Sequence, residues 1–239
     1  MIKKILNCRT GCKDIWNAFM VKGAIFGKHD IPYSPTTATV LPQKMITWQE
    51  CKAIHKQHIK AKKYNYRYDA FVNFYLDDYK FAGKNGIWFN PKAVYNIICH
   101  FKGVITPDFS TYQDFPEPIK VFATYCMRAY GYWLGTKGIQ IINNVRWGTE
   151  ETYKYCFEGL PTNSILAIGT VGGGPNKLCD RVRFEKGLYK LVELLSPHTI
   201  LVYGSARGKC FAELRALGIK IISYQSKTTK AFAKGKKNE

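Results

Sequence analysis

The chain has 239 residues, 46% of them apolar and 15% aromatic, which is ample material for a core and excludes both a disordered chain and a small cysteine-stapled scaffold. Thirty-six Lys and Arg stand against seventeen Asp and Glu, a formal charge of +19. That surplus is far larger than solubility requires, so a polyanion is the expected partner: nucleic acid, with DNA ahead of RNA. No long apolar segment, lipidation signal or basic amphipathic helix with a clean apolar face is present, which sets membrane binding aside.

The N-terminus, Met1 to Cys8, is basic but lacks the apolar run of a signal peptide, which predicts a cytoplasmic protein. Its eight cysteines have no framework spacing and are expected as buried thiols. Cys8 and Cys12 are a close pair without a second pair at zinc-finger spacing. Residues 1–70 read as an irregular basic segment. A Pro- and Thr-rich stretch (Pro32, Pro35, Thr36, Thr37, Thr39, Pro42) precedes a short strand at 45–48 and a basic helix at about 49–62. That helix and its exit carry Lys52, His55, Lys56, His58, Lys60, Lys62 and Lys63 against Glu50 alone, followed by Tyr64, Tyr66, Arg67 and Tyr68. Lys56, Lys60, Lys63 and Arg67 are therefore candidate phosphate contacts; the plainer alternative is a solvated helix face. His55 and His58 lack the helix-borne carboxylate of a zinc protease motif.

From residue 71 onward short β-branched runs alternate with helical patterns, the signature of βα units on a mainly parallel sheet. Strands are predicted at 71–77, 103–107, 139–145, 165–171, 199–203 and 219–224, and helices at about 91–100, 117–134, 149–157, 180–195 and 208–217. Pro91 and Pro118 suit a first helical turn, and Thr149, Glu150 and Glu151 place acids in another. With the strand near Met45 and one near Ile25, the count suffices for an eight-stranded TIM-barrel-like closure; an open doubly wound sheet is the alternative. The whole chain, 1–239, is expected as a single α/β domain with a mobile basic tail at 227–239.

In both architectures the active site gathers at the carboxyl ends of the strands. Those ends read Asp77-Asp78-Tyr79, Thr106-Pro107-Asp108-Phe109-Ser110, Asn143 to Gly148, Thr170 to Gly174, Tyr203 to Arg207, and Ser223 to Ser226. Asp77, Asp78 and Asp108 are candidate catalytic groups: carboxylates in a basic cleft hold Mg²⁺ for phosphodiester chemistry, or serve as general base or nucleophile. Adjacent strand residues point to opposite faces, so only one of Asp77 and Asp78 is expected in the site. The structural alternative makes them helix caps and Asp108 an Asx turn before Ser110. Arg146 offers a guanidinium for phosphate and Trp147 a plane for base stacking, or else a core ring. Arg128, between Tyr125 and Tyr130, is expected to line the cleft, and Arg207 to contact nucleic acid; packing is the alternative for the helix stripe. Gly172 to Gly174 and Gly204 allow close backbone approach to a phosphate, yet no Walker or dinucleotide pattern is intact. No nucleophile elbow surrounds a serine, and Tyr79, Tyr203 and Tyr224 have no supporting motif as nucleophiles.

The runs Phe74 to Phe81, Gly103 to Ser110, Asn144 to Gly148 and Leu201 to Gly204, in that order, resemble domain of unknown function 4417 (DUF4417), over roughly residues 25–225. The resemblance implies an origin in phages, plasmids and integrated elements, and it implies no reaction. The family's recurrent polar positions coincide with the strand ends chosen above. The leading expectation is a nucleic-acid-processing protein, a nuclease or nickase using Mg²⁺. A non-catalytic nucleic-acid-binding or anti-defence protein is the second reading, and a barrel glycosylase or base-exchange enzyme the third.

Overall fold

The computed structural model describes residues 2–3, 8–171 and 178–226. Two short strands, β1 (Ile2–Lys3) and β2 (Ile25–Phe26), pair antiparallel with each other. The main sheet then runs β3 (Met45–Thr47), β4 (Tyr68–Asn73), β5 (Phe101–Ile105), β6 (Gln140–Asn144), β7 (Ile165–Gly169), β8 (Thr199–Tyr203) and β9 (Lys220–Tyr224). All seven strands are parallel and lie side by side in chain order. The order never reverses, so each βα step advances in one direction, as in a barrel, and the sheet curls into a half-barrel. The strand near Ile25 is not its eighth member, because it is spent on β1; β3 and β9 do not pair. They are tied instead by the Tyr224 hydroxyl, which donates to the Pro42 carbonyl at 2.6 Å.

The inner face of the curl carries at least one apolar residue from every strand: Met45, Phe71, Ile105, Ile142, Ala167, Leu201 and Ile222, joined by Ile165, Tyr203 and Tyr224 from the last three. This is barrel-interior packing, with the alternate residues turned outward to the helices. On the outside lie α1 (Trp48–Lys60), α2 (Pro91–Ile98), α3 (Glu117–Thr136), α4 (Tyr153–Cys156), α5 (Leu178–Leu195) and α6 (Lys209–Ala216). They cover β3 to β6 with one apolar cluster and β6 to β9 with a second. The start of α1 is fixed by a capping box in which Thr47 N–H donates to Glu50 at 2.8 Å and Glu50 N–H donates to the Thr47 hydroxyl at 3.4 Å. Pro91 opens α2 at its first position, where its missing N–H costs nothing.

The Pro- and Thr-rich stretch has a specific place. β6 and β7 pair only at Asn143–Leu166 and Asn144–Ala167, and residues 34–39 fill the splayed gap below. Thr37 and Ala38 N–H groups donate to Ile141 O, and the Thr36 hydroxyl donates to Ile165 O at 3.2 Å. The chain thus passes between two strands, from Ser34 beside α3 to Ala38 and Leu41 against the inner cluster. Gly131 of α3 makes this possible, since a Cβ there would sit 2.1 Å from the Ser34 hydroxyl. The basic tail at 227–239 and Gly172 to Gly174 lie outside the described residues.

Candidate functional site

The carboxyl ends of the strands bring four side chains into one hydrogen-bonded line. Arg146, after β6, donates from Nη1 to Asp108 Oδ2 at 2.8 Å. Asp108, after β5, accepts on its other oxygen from Asn144 Nδ2 at 2.9 Å, and Asn144 Oδ1 accepts from the Tyr75 hydroxyl at 2.9 Å. Tyr75 lies stacked on Tyr203, ring centroids 5.0 Å apart and 15° from parallel. The Asp108 side chain is 10% exposed and that of Arg146 23%, so the ion pair is largely desolvated. Asp108 strengthens the proton affinity of the Arg146 guanidinium, which stays cationic at any ordinary pH. Burial holds the Tyr75 phenol well above its usual range, making it a fixed donor and not a nucleophile.

Ser110 forms the second half of the site. Its backbone N–H and its hydroxyl donate to the two oxygens of Asp78 at 3.2 and 2.9 Å. Burial raises the Asp78 carboxyl above its ordinary range; the two Ser110 hydrogen bonds oppose that shift and nearby Asp108 adds to it. Asp77 turns the other way, is mostly exposed and pairs with Lys80. β4 ends at Asn73 and not at the expected 77, so the two acids are separated by a 3-10 turn that begins at Asp78 and not by strand alternation.

A cleft of about 230 Å³ is lined by Tyr75, Asp108, Ser110, Tyr112, Arg146 and Tyr203 and, at its rim, by the Asp77–Lys80 pair, with Asp78 and Asn144 set behind this lining. The Arg146 guanidinium also stands 5.9 Å from the Tyr112 ring centroid. A smaller hollow of about 80 Å³ shares Asp108 and Arg146 and ends on Asp180 and Arg183 of α5.

Other expected site residues fall elsewhere. Arg128 does not line the cleft: it is fully buried in α3 and donates to Glu158 O at 3.1 Å, Asn144 O at 3.0 Å and Cys156 O at 2.8 Å. It is a bracket that holds Asn144 in place. Trp147 packs on Gly187 of α5 and against Phe157 and Phe184, so its ring is part of the core edge. Arg207 is exposed in the loop after β8, outside the cleft lining. Lys60, Lys63 and Arg67 sit exposed at the opposite end of the sheet, where β4 begins, with Lys56 partway along α1. Asn144, Ser110, Tyr75 and Tyr112 join the site without having been singled out. The spacing of Asn144 and Arg146, two apart at a strand end, was the available signal for a shared target.

The carboxylates fit a Mg²⁺ cluster poorly. Both oxygens of Asp108 and both of Asp78 are already hydrogen-bonded, Asp77 is tied to Lys80, and among the described residues no three His, Cys, Asp or Glu side chains stand where they could hold a metal.

A family model described as domain of unknown function, DUF4417, matches residues 25–225. The chain belongs to the DUF4417 family. That span holds every cleft residue except Ser226. Among curated proteins this DUF4417 chain is similar to the Gene 1 protein of Mycobacterium phage D29, 31% identical over 75% of this chain and 62% of the phage protein. It is also similar to the Gene 1 protein of Mycobacterium phage L5, 31% identical over 57% of this chain and 58% of that protein. The chain thus spans about three-fifths of the length of these relatives. No solved structure matches it. No described helix is long and apolar enough to cross a membrane.

Proposed function

We propose that this DUF4417 protein binds nucleic acid in the cytoplasm of a phage's host and processes it in the cleft, by chemistry that needs no metal. The reading rests on one observation: the buried Asp108, held between Arg146 and Asn144, opens onto a cleft with tyrosine planes in a protein of charge +19. Its volume is below the roughly 300–1,000 Å³ of sites for drug-sized ligands, which suits one nucleotide unit drawn out of a strand and not a duplex. A guanidinium carries five donors, and the bond to Asp108 uses one, leaving Arg146 able to bind a phosphate as well. Asp108 supplies the negative charge that stabilises a sugar carbon as its bond to the base breaks; water entering the cleft adds to that carbon and its proton leaves with the base, while Asp78, accepting from the Ser110 hydroxyl, fixes that hydroxyl so that its oxygen can accept from the water. Base removal or exchange therefore fits the geometry better than Mg²⁺-dependent strand cleavage.

The test is to incubate the purified protein with single-stranded DNA and RNA oligonucleotides, with excess chelator or with Mg²⁺, and to look for released base, abasic sites and strand cuts. Base release unaffected by chelator and lost in Asp108→Asn is the expected result. Strand cuts that appear only with Mg²⁺ would overturn it.

A further inference from the structure

The opposite end of the sheet carries a second aromatic and basic surface that the cleft does not explain. Tyr66 lies sandwiched between His58 and His100, ring centroids 4.0 and 4.3 Å away, and its hydroxyl meets His55 Nδ1 at 2.9 Å. The stack does not chelate a metal: His58 and His100 lie on opposite faces of the tyrosine ring and spend their Nδ1 atoms on the carbonyls of Ile54 and Tyr66. Beside it a groove of about 620 Å³ runs past Arg67, Tyr68, His100, Lys102 and Lys137. Its one acid, Asp69, is neutralised by Lys102 at 2.8 Å.

The helix α1 joins the two ends. Gln49 in its first turn lines the cleft, and its last residue, Lys60, sits near the Tyr66 stack, so its 13 residues bridge about 20 Å. Along it Lys52, Lys56 and Lys60 are all exposed and recur every four residues, forming one stripe with a rise of about 6 Å per step. The acid of α1, Glu50, is occupied in the capping box. A stripe of cations that ends beside a groove lined by further cations and by the Tyr68 and His100 rings is an arrangement suited to a single strand: charges for the phosphates and groove-facing rings for the bases.

We propose that α1 is a track for a single strand of nucleic acid, which leaves the cleft along Lys52, Lys56 and Lys60 and reaches the groove of Arg67, Tyr68, His100, Lys102 and Lys137 at the far end. This rests on the reading of the cleft as a nucleic-acid site and adds to it a direction and a footprint. A membrane surface would be met by charge alone and has no use for a groove lined by Tyr68 and His100.

The experiment is fluorescence anisotropy of full-length protein with single-stranded oligonucleotides of about 6 and about 20 nucleotides, across salt, for the natural protein and for Lys52→Ala/Lys56→Ala/Lys60→Ala. Alanine at exposed helix positions preserves the fold, and a thermal melt confirms it. The natural protein is expected to bind the longer strand at least tenfold more tightly. The triple variant should lose that advantage, with the slope of log affinity against log salt falling by about 2, since each phosphate contact contributes about 0.7 for single strands. Binding of the short strand should not change. If the natural protein binds the long strand and the triple variant matches it in affinity and slope, the track is wrong while the cleft reading stands. If the natural protein binds neither strand, both are overturned.

Discussion

Replacing Asp108 with Asn keeps the volume of the side chain and removes its charge. The bond to Arg146 at 2.8 Å is charge-assisted, a class that contributes about 1.5–3 kcal/mol, and the neutral bond to Asn144 at 2.9 Å about 0.5–1.5 kcal/mol. An amide cannot satisfy both, because Arg146 and Asn144 each present a donor and one end of the new side chain is itself a donor. Leaving a buried cation unpaired raises the cost toward 3–5 kcal/mol, but Arg146 is 23% exposed and recovers part of its hydration. The expected loss is about 2–4 kcal/mol, and at about 2–4 °C per kcal/mol for a chain of this size the melting temperature should fall by about 5–15 °C. Calorimetry on Asp108→Asn, Arg146→Met and the double variant measures it. The double variant should lose less than the sum of the singles, with a coupling of about 1–3 kcal/mol. Melting within about 1 °C of the natural protein, or singles that simply add, would refute the claim that these side chains act as a desolvated pair.

Arg128→Met should cost about 3–5 kcal/mol by denaturant midpoint, because three carbonyls, two of them in buried hydrogen bonds, lose their donor at once; a loss under about 1 kcal/mol would mean the bracket is dispensable. Gly187→Ala puts a Cβ 2.1 Å from the Trp147 ring and should destabilise by about 1–3 kcal/mol, with a change in tryptophan fluorescence as the ring shifts; an unchanged melt and spectrum would contradict the packing assigned to Trp147. For Asp78, a folded-state proton affinity above that of the unfolded chain means that ionisation opposes folding: the penalty is absent below the ordinary carboxylate range and complete above the raised value. The stability of Asp78→Asn relative to the natural protein should therefore improve as pH rises from about 3 to 7 in urea titrations, whereas a difference constant with pH would show that Ser110 fully compensates for burial.

The βα rhythm from β4 onward was legible because buried strands such as Thr199–Tyr203 are continuous apolar runs between turn residues. The eighth strand was not, since two residues at Ile25–Phe26 carry no information about which partner they will find. That polar groups gather after the strands was also readable, whereas the divergence of Asp77 and Asp78 was expected for the wrong reason, since β4 stops at Asn73 and a 3-10 turn separates them. Arg128 was misplaced because a buried arginine and a cleft arginine look alike on a helix; what separates them is a set of three backbone carbonyls from two other segments, Asn144 and the Cys156–Glu158 turn. Trp147 was ambiguous for a related reason, as the glycine that receives it lies 40 positions away. Asn144 went unnoticed because an amide becomes part of a site only when a carboxylate and a phenol arrive from other strands.

Salt-titrated binding to single-stranded DNA and RNA, natural protein against Arg146→Met, decides whether the cleft is a nucleic-acid site. The affinity of the natural protein should fall steeply with salt and be weaker in the variant. No binding by the natural protein at about 0.15 M salt would contradict the nucleic-acid reading of the cleft.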